Sequence, residues 1–459
     1  MVLLGGGSGG YVAAVRAAQL GMKTAVVEEE KLGGTCLHRG CIPTKVLLRT
    51  AELMAAVQDG AAYGMKIPQA AVDYPALIQR KTKIVDQLHR GIQFLMKKNA
   101  VTVLNGRGRL RDAHTVEVVS AHGSQTIQGK NLVIATGSTA RSLPGVPFGP
   151  RVLSSDGALE LTAVPQSIVI IGAGAVGCEF ASLYHDFGTR VTLLEAAPTL
   201  LPLEDQEIGP ELGRIFTRRG IAAHAGARVD LGSIRTTDAS VTLEAEIQGK
   251  VTRFEADYLL VAVGRAPRVE DVGLETTGVK LGPAGTIQVD ARQRTGVEGV
   301  WAIGDVVGGY QLAHVAAHEG VTAVEDAAGI APDPMDPNVE PRATYCRPEV
   351  GSVGLSEKDA RAQGHEVSVG KFPFRANGRA LIHGDPDGFV KVVADTRTND
   401  ILGVHILGPS AADLIAEATL AKFLDATPLE VGHTIHPHPT LTETVGEAAL
   451  GALGIALNI

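Results

Sequence analysis

Val2-Leu-Leu-Gly5-Gly-Gly7-Ser-Gly-Gly10 is an apolar run that breaks into a glycine-rich turn, and it returns as Val169-Ile-Ile-Gly172-Ala-Gly174-Ala-Val-Gly177. The register between the copies is constant. Gly5 matches Gly172, Gly7 matches Gly174, Gly10 matches Gly177, Gly21 matches Gly188 and Glu28 matches Glu195, each pair 167 residues apart. Each copy reads as strand, turn, helix and second strand, closing on Thr24-Ala-Val-Val-Glu28 or Val191-Thr-Leu-Leu-Glu195. In such a unit the first glycine permits a tight turn, the second lets backbone approach a diphosphate, and the third lets helix and strand pack closely. The helix N-terminus then offers free N–H groups and the positive end of its dipole to the anion. An acid about 20 residues further on suits a ribose hydroxyl, and Glu28 and Glu195 each follow their third glycine by 18 residues. A single glycine turn often only connects strands, but two full copies imply two dinucleotide sites. No Arg follows Glu195 in Glu195-Ala-Ala-Pro-Thr199, and a carboxylate there repels a 2′-phosphate, so a nicotinamide nucleotide at the second site is expected to be NAD and not NADP.

Composition bounds the rest. A chain of 459 residues exceeds one hydrophobic core, so three or four domains are expected. Hydrophobic residues at 45% and charged ones at 20% describe a globular protein. A net charge of −8 argues against a nucleic-acid surface and gives no attraction to membranes. No apolar run approaches the roughly 20 residues that span a bilayer. The chain enters its first strand at once without a signal peptide, so a cytoplasmic location is expected.

Four cysteines are too few for a disulfide framework. Cys178, in an apolar helix, and Cys346, in a strand-like stretch, read as small buried hydrophobes. The other two stand in Gly33-Gly-Thr35-Cys36-Leu-His38-Arg-Gly-Cys41-Ile-Pro-Thr-Lys45, at the start of what reads as a helix just beyond the first nucleotide fold. A pair placed there can form and break a disulfide beside a bound cofactor, which points to electron transfer between a dithiol and a nucleotide. Two further strands match each other, Asn131-Leu-Val-Ile-Ala135-Thr136-Gly137 and Tyr258-Leu-Leu-Val-Ala-Val-Gly264. Gly299-Val-Trp-Ala-Ile-Gly304-Asp305 delivers a carboxylate at a strand end, either as a helix cap or to bind a polyol hydroxyl.

Pro332-Asp-Pro-Met-Asp-Pro337 is a compact linker, and alternating strands after it, with helices near 411–424 and 441–453, read as a mixed α+β domain. The final motif is Thr434-Ile-His436-Pro-His438-Pro-Thr440-Leu-Thr-Glu443. Thr440-x-x-Glu443 fits a capping box, the structural reading of Glu443. The functional reading makes His438 a general base held by Glu443, because a carboxylate orients an imidazole and stabilises its charged form. A zinc site built from two cysteines and two histidines is disfavoured, since structural zinc takes closer cysteines, and no metal is expected.

These motifs, GGGSGG, GGTCLHRGCIPTK, ATG, GAGAVGCE, VAVGRAP, AIGD, LAHVAAHEG and HPHPTLTE, occur along the whole chain in the order found in the flavin-dependent pyridine nucleotide–disulfide oxidoreductases, which the chain resembles end to end. It is most similar to the branch acting on dihydrolipoyl groups. Two departures stand out: His38, where many relatives carry Asn, and a very short lead-in before Gly5, which suggests a thin first strand and a trimmed N-terminus. The resemblance implies an α/β fold with two Rossmann-like FAD/NAD-binding domains plus a C-terminal α+β dimerisation domain. Residues 1–143 would bind FAD and carry the disulfide, 144–264 would bind NAD, 265–334 would complete the FAD site, and 335–459 would form the dimer.

It implies FAD contacts from Gly5, Gly7, Gly10, Glu28, Thr35, Lys45, Ala135, Thr136, Gly137, Asp305 and Ala313, with Asp305 on the ribityl chain. Gly172, Gly174, Gly177, Glu195 and Gly264 would serve NAD. Cys36 would meet the substrate thiol and Cys41 the flavin, Lys45 and Glu179 would be an ion pair beside the ring, and His438 with Glu443 would act in the other subunit's site, which requires a homodimer. The His438–Pro439 bond is a candidate cis peptide. The implied reaction oxidises protein-bound dihydrolipoamide with NAD, and the lipoyl group would arrive on a 2-oxo acid dehydrogenase or glycine cleavage complex. A glutathione- or mercuric-reductase-like activity fits less well, because the first needs basic residues near Glu195 and the second a C-terminal cysteine pair. A non-catalytic flavin-binding subunit would need none of Cys36, Cys41, His438 and Glu443.

Overall fold

The structure is a computed structural model that describes residues 1–68 and 70–458. The chain divides into two compact units. The first comprises Met1–Val46, Ala76–Ala140 and Arg265–Asp336, the second Leu47–Pro75, Arg141–Gly264 and Pro337–Ile459.

In the first unit the strand Val2–Leu4 lies at the centre of a five-stranded parallel sheet, ordered Val300–Ala302, Leu132–Ile134, Val2–Leu4, Ala25–Glu28, Thr102–Asn105. The strand is as thin as expected, three residues, yet paired on both sides and buried throughout. That is why these strands read as unbroken apolar runs: a parallel sheet is covered on both faces. Helix Ser8–Gln19 packs on helix Ala313–Ala327 through small residues, with a Cβ on Gly9 only 2.8 Å from the Ala316 carbonyl oxygen. Arg16 and Glu325 pair across that contact at 2.8 Å.

The second unit repeats the plan. Its parallel sheet is ordered Ala222–Ala225, Arg190–Glu195, Ser167–Ile171, Tyr258–Val261, Val152–Leu153. Its outer strand Val152–Leu153 precedes the glycine turn in sequence, whereas Val300–Ala302 in the matching place comes last in its own unit. Both units also carry a three-stranded antiparallel ribbon that the sequence reading missed, Arg107–Leu110, Thr115–Ser120, Gly123–Gln128 and Arg228–Thr236, Val241–Ile247, Lys250–Ala256. The signal was present: Val241–Ile247 alternates inward apolar and outward polar residues, and Gln248-Gly249 both have positive φ, as a two-residue hairpin turn requires.

The remaining sheet of the second unit is antiparallel, ordered Arg342–Thr344, Glu349–Gly354, Ile401–Gly408, Phe389–Asp395, Val367–Pro373, with helices Ala411–Phe423 and Glu443–Ala452 packed on it. Every residue of its two central strands is buried, including Lys391 and His405. Lys391 survives there because three carboxylates reach its ammonium: Glu207 at 2.7 Å, Glu357 at 2.8 Å and Asp205 at 3.0 Å. Burial alone would lower its pKa, but these partners outweigh it and raise it. Asp205 shows the converse. Burial pushes its carboxyl up, while His405, Lys391 and the N–H groups of Glu207 and Glu357 bring it below its ordinary value. The stability from Asp205 is therefore present above its unfolded pKa near ~4 and is lost as pH falls through the lower folded value.

Lys391→Met leaves buried carboxylate without its cation, and an expected loss of about 3–5 kcal/mol should appear as a lower denaturant midpoint at pH 7. A loss below ~1 kcal/mol would mean that the carboxylates rehydrate freely.

Candidate active site

The first glycine turn is closed by backbone contact. A Cβ on Gly10 would lie far inside van der Waals distance of the Gly5 carbonyl oxygen, and one on Gly5 would overlap the Ala135 carbonyl. Gly7, at the N-cap of helix Ser8–Gln19, supplies no side-chain cap, so the first-turn N–H groups stay open to an anion. Glu28 braces the turn, accepting the Gly6 N–H at 2.7 Å through one oxygen and the Glu30 N–H at 2.8 Å through the other. The second copy reproduces each feature. A Cβ on Gly177 would overlap the Gly172 carbonyl, Gly174 caps helix Ala175–Asp186 without a side chain, and Glu195 accepts Ala173 N–H at 2.6 Å and Ala197 N–H at 2.7 Å. Both cradles fit a dinucleotide diphosphate.

One cleft gathers Gly5, Gly7, Glu28, Thr35, Ala135, Thr136 and Gly137 along its wall. Gly10 lies beneath the turn, whereas Asp305 and Ala313 stand outside this lining. Asp305, in a 3-10 turn at Gly304–Val306 after strand Val300–Ala302, accepts the Ser138 hydroxyl and lies 3.6 Å from Arg265 Nε. Ser138 in turn accepts Arg265 Nε at 2.6 Å. Ala313 opens helix Ala313–Ala327, whose N-cap Leu312 offers no side-chain cap. Ser138, Arg265 and Arg268, which holds Glu29 at 3.0 Å, were not singled out from the sequence. Their only signal was adjacency to the Ala135-Thr136-Gly137 and Gly264 motifs. Gly137 and Gly264 both have positive φ, at 73° and 106°.

Cys36 and Cys41 are joined as a disulfide, with Cα atoms 4.7 Å apart. The expected single helix is in fact two, Gly34–Arg39 and Cys41–Gln58, because Gly40 leaves the helical region at φ −139° and ψ −115°. The break brings the two cysteines together across the junction, with Thr44 donating its N–H and hydroxyl to the Gly40 carbonyl. Lys45 follows Cys41 by one helical turn. Glu179 lies buried in helix Ala175–Asp186 and accepts the Tyr345 N–H at 3.0 Å. Cys178 and Cys346 are buried free thiols, and burial pushes Cys346 well up. Cys346 sits in the turn between two strands, not in a strand as expected, beside a cis Arg347–Pro348 bond.

His438 presents Nδ1 to Glu443 Oε1 at 2.8 Å, and the same carboxylate accepts the Thr440 N–H at 2.7 Å through Oε2. The capping box is only half formed, since the Thr440 hydroxyl donates to the Pro437 carbonyl instead. Burial pushes the Glu443 carboxyl up, but the Thr440 N–H and the His438 ring together bring it below its ordinary value. The His438–Pro439 bond is cis, and the ring is 80% exposed with Nε2 free of any hydrogen-bond partner among the described residues. His436 is instead tucked in and paired with Glu417 at 2.7 Å.

Residues 1–320 match the model of the pyridine nucleotide-disulphide oxidoreductases, and residues 340–449 match that family's dimerisation domain. The chain belongs to this family. Over its full length it is 48% identical to a dihydrolipoyl dehydrogenase of Bacillus subtilis and 43% identical to one of Zymomonas mobilis, each covered to 98%. Among solved structures it is similar to LpdA of Mycobacterium tuberculosis, at a TM-score of 0.90 and 28% identity over 98% of both chains. It is also similar to the HOCl-induced flavoprotein disulfide reductase RclA of Escherichia coli, at a TM-score of 0.85 and 28% identity over 98% of both chains.

The backbone overlap at each third glycine gives a paired prediction. Gly177→Ala should abolish tight NADH binding, measured by fluorescence titration, while the protein keeps its flavin, and Gly10→Ala should yield flavin-free protein. Equal loss of both nucleotides in Gly177→Ala would show that the two cradles are not independent.

Proposed function

We propose that the chain is a homodimeric, cytoplasmic flavoenzyme that oxidises protein-bound dihydrolipoamide to lipoamide and reduces NAD. The observation that carries this is a disulfide and a histidine hydrogen-bonded to a carboxylate in one chain with two dinucleotide cradles. A purely structural flavin subunit needs neither.

His438 takes a proton from one substrate thiol, since the thiolate is the nucleophile. Glu443 fixes the ring's orientation through Nδ1 and offsets the positive charge that forms, leaving Nε2 to receive the proton. The substrate thiolate attacks Cys36 Sγ, the Cys36–Cys41 bond breaks, and Cys41 leaves as thiolate. The second substrate thiol, deprotonated, attacks the substrate sulfur of the mixed disulfide and releases Cys36, so the substrate departs as its cyclic disulfide. The two electrons now rest on the cysteine pair, at the start of helix Cys41–Gln58, whose N-terminus favours the Cys41 anion. Lys45, a turn further along, adds positive charge, and the buried Glu179 is its family counterpart. Bound FAD supplies the two-electron acceptor for this pair and bound NAD the final hydride acceptor. In sum the dithiol and NAD⁺ give disulfide, NADH and one proton.

FAD would be held by Gly5, Gly7, Gly10, Glu28, Thr35, Lys45, Ala135, Thr136, Gly137, Asp305 and Ala313, and NAD by Gly172, Gly174, Gly177, Glu195 and Gly264. The base serves the partner subunit's disulfide. The dimerisation domain supports a homodimer, and Leu420, Phe423, Leu424 and Ile435 present exposed apolar side chains in that region. The lipoyl group arrives on a 2-oxo acid dehydrogenase or glycine cleavage protein.

The test is NADH formation from dihydrolipoamide and NAD, with NADP, glutathione disulfide and mercuric ion as alternatives. Turnover with NAD is expected to exceed that with NADP roughly 100-fold in kcat/KM; fast glutathione disulfide reduction without dihydrolipoamide turnover would overturn the assignment. Cys36→Ser should abolish turnover yet leave the protein yellow. His438→Gln should lower kcat by about 10²–10⁴-fold at unchanged flavin content.

A further inference from the structure

Leu32 stands where the second strand of the first unit hands over to the disulfide segment. Its side chain is buried against the glycine turn, and a Cβ on Gly6 would come within 2.6 Å of Leu32 Cδ2. The next residue, Gly33, donates its N–H to the Gly6 carbonyl at 2.8 Å. From the other side, the Leu32 carbonyl meets two imidazoles, His38 Nε2 at 2.9 Å and His89 Nδ1 at 2.9 Å. His38 belongs to helix Gly34–Arg39, between the two redox cysteines, and His89 to helix Tyr74–Lys98. Their rings meet edge to face, with centroids 5.1 Å apart.

A carbonyl only accepts, so both rings donate and their tautomers are set: His38 carries hydrogen on Nε2 and His89 on Nδ1. Both lone pairs of one oxygen are thus engaged. The charged groups facing His38 are Lys31 and Arg39, the latter paired with Glu30 at 2.7 Å. Glu30, Lys31 and Lys97 share the cleft that His89 lines. Burial first, together with His89, Lys31 and Arg39, holds His38 below its ordinary value, against the hydrogen bond to the Leu32 carbonyl, which raises it.

We propose that His38 and His89 are positioning residues for the redox pair: by sharing the Leu32 carbonyl they fix the Cys36 helix to the glycine turn and to the long helix, and so hold the Cys36–Cys41 junction in register. His38 also lines the cleft of Gly7, Glu28 and Thr35, and neither ring takes part in a step of the reaction proposed above. The part of this that concerns turnover rests on the dihydrolipoamide reading above.

Sharing one acceptor has a consequence for substitution. Removing either ring leaves the carbonyl one donor, whereas removing both strips a partly buried carbonyl of its side-chain partners, so the double loss should exceed the product of the single ones. The experiment reduces the flavin-loaded protein and alkylates it with limiting iodoacetamide, scoring Cys36 against Cys41 by peptide mass. In His38→Ala and His89→Ala the wild-type labelling ratio should fall about threefold each, and in the double variant about thirtyfold or more. His38→Gln, which keeps an N–H donor at the same reach, should stay within about twofold of wild type. The kcat for dihydrolipoamide should fall in parallel while its KM holds. A double variant with an unchanged ratio overturns the proposal. So does a loss that tracks flavin content or unfolding midpoint in all variants, which marks a structural role. If wild type fails to oxidise dihydrolipoamide but the labelling pattern appears, the functional reading falls and the clamp stands.

Discussion

The contact between the third glycine of each turn and the carbonyl of the first is the constraint on which the molecule rests. Gly10 against Gly5 and Gly177 against Gly172 leave no room for a single methyl group. That closeness draws each helix onto its sheet and aims the helix N-terminus at the carboxyl edge of the strands, where a diphosphate is received. It also carries a cost. Gly7, Gly174 and Leu312 all stand at helix N-caps without a side-chain cap, so that relative to Ser or Asp the two glycines forgo roughly a few tenths of a kcal/mol each and Leu312 about 1 kcal/mol. At the two glycine turns the uncapped first-turn N–H groups stay open to an anion.

Glu28 and Glu195 show how the turn stays open without collapsing. Each carboxylate accepts one N–H within the glycine turn and one two residues beyond itself, in identical register. The sequence reading treated these acids as ribose ligands alone. The structure adds that they brace the turn, so a substitution at either position loosens the cradle itself. The place of Glu195 is set by backbone bonds, which leave the carboxylate little freedom to swing aside from a 2′-phosphate, as the proposed choice of NAD requires.

What was legible from the sequence was local. The duplication, the cysteine spacing and the His438-to-Glu443 interval are short-range patterns, and a short-range pattern fixes geometry when it falls on a turn or a helix start. What was not legible depends on residues far apart in sequence. Ser138, Arg265 and Asp305 meet only because two segments of the first unit, Ala76–Ala140 and Arg265–Asp336, converge. Lys391 and His405 lie in strands buried along their whole length, where a polar residue reads as an edge or a surface position until its partners at 205, 207, 357 and 355 are seen. The break at Gly40 was missed because the residues flanking it are acceptable helix formers, and only the disulfide shows why the helix must stop.

The exposure of His438 is informative in the same way. A general base that served a pocket of its own chain would be expected to have part of its ring shielded there. Here the ring is held at Nδ1 by a carboxylate that is itself anchored by the Thr440 N–H, yet the side chain is 80% exposed. Orienting a side chain costs conformational entropy, which an exposed surface pair recovers poorly. Nearby, His436 is half-buried and paired with Glu417, so the segment is not simply polar surface. On the function proposed above, the fixed imidazole with its open Nε2 awaits a second subunit's site, and the dimerisation domain that carries it supports that reading.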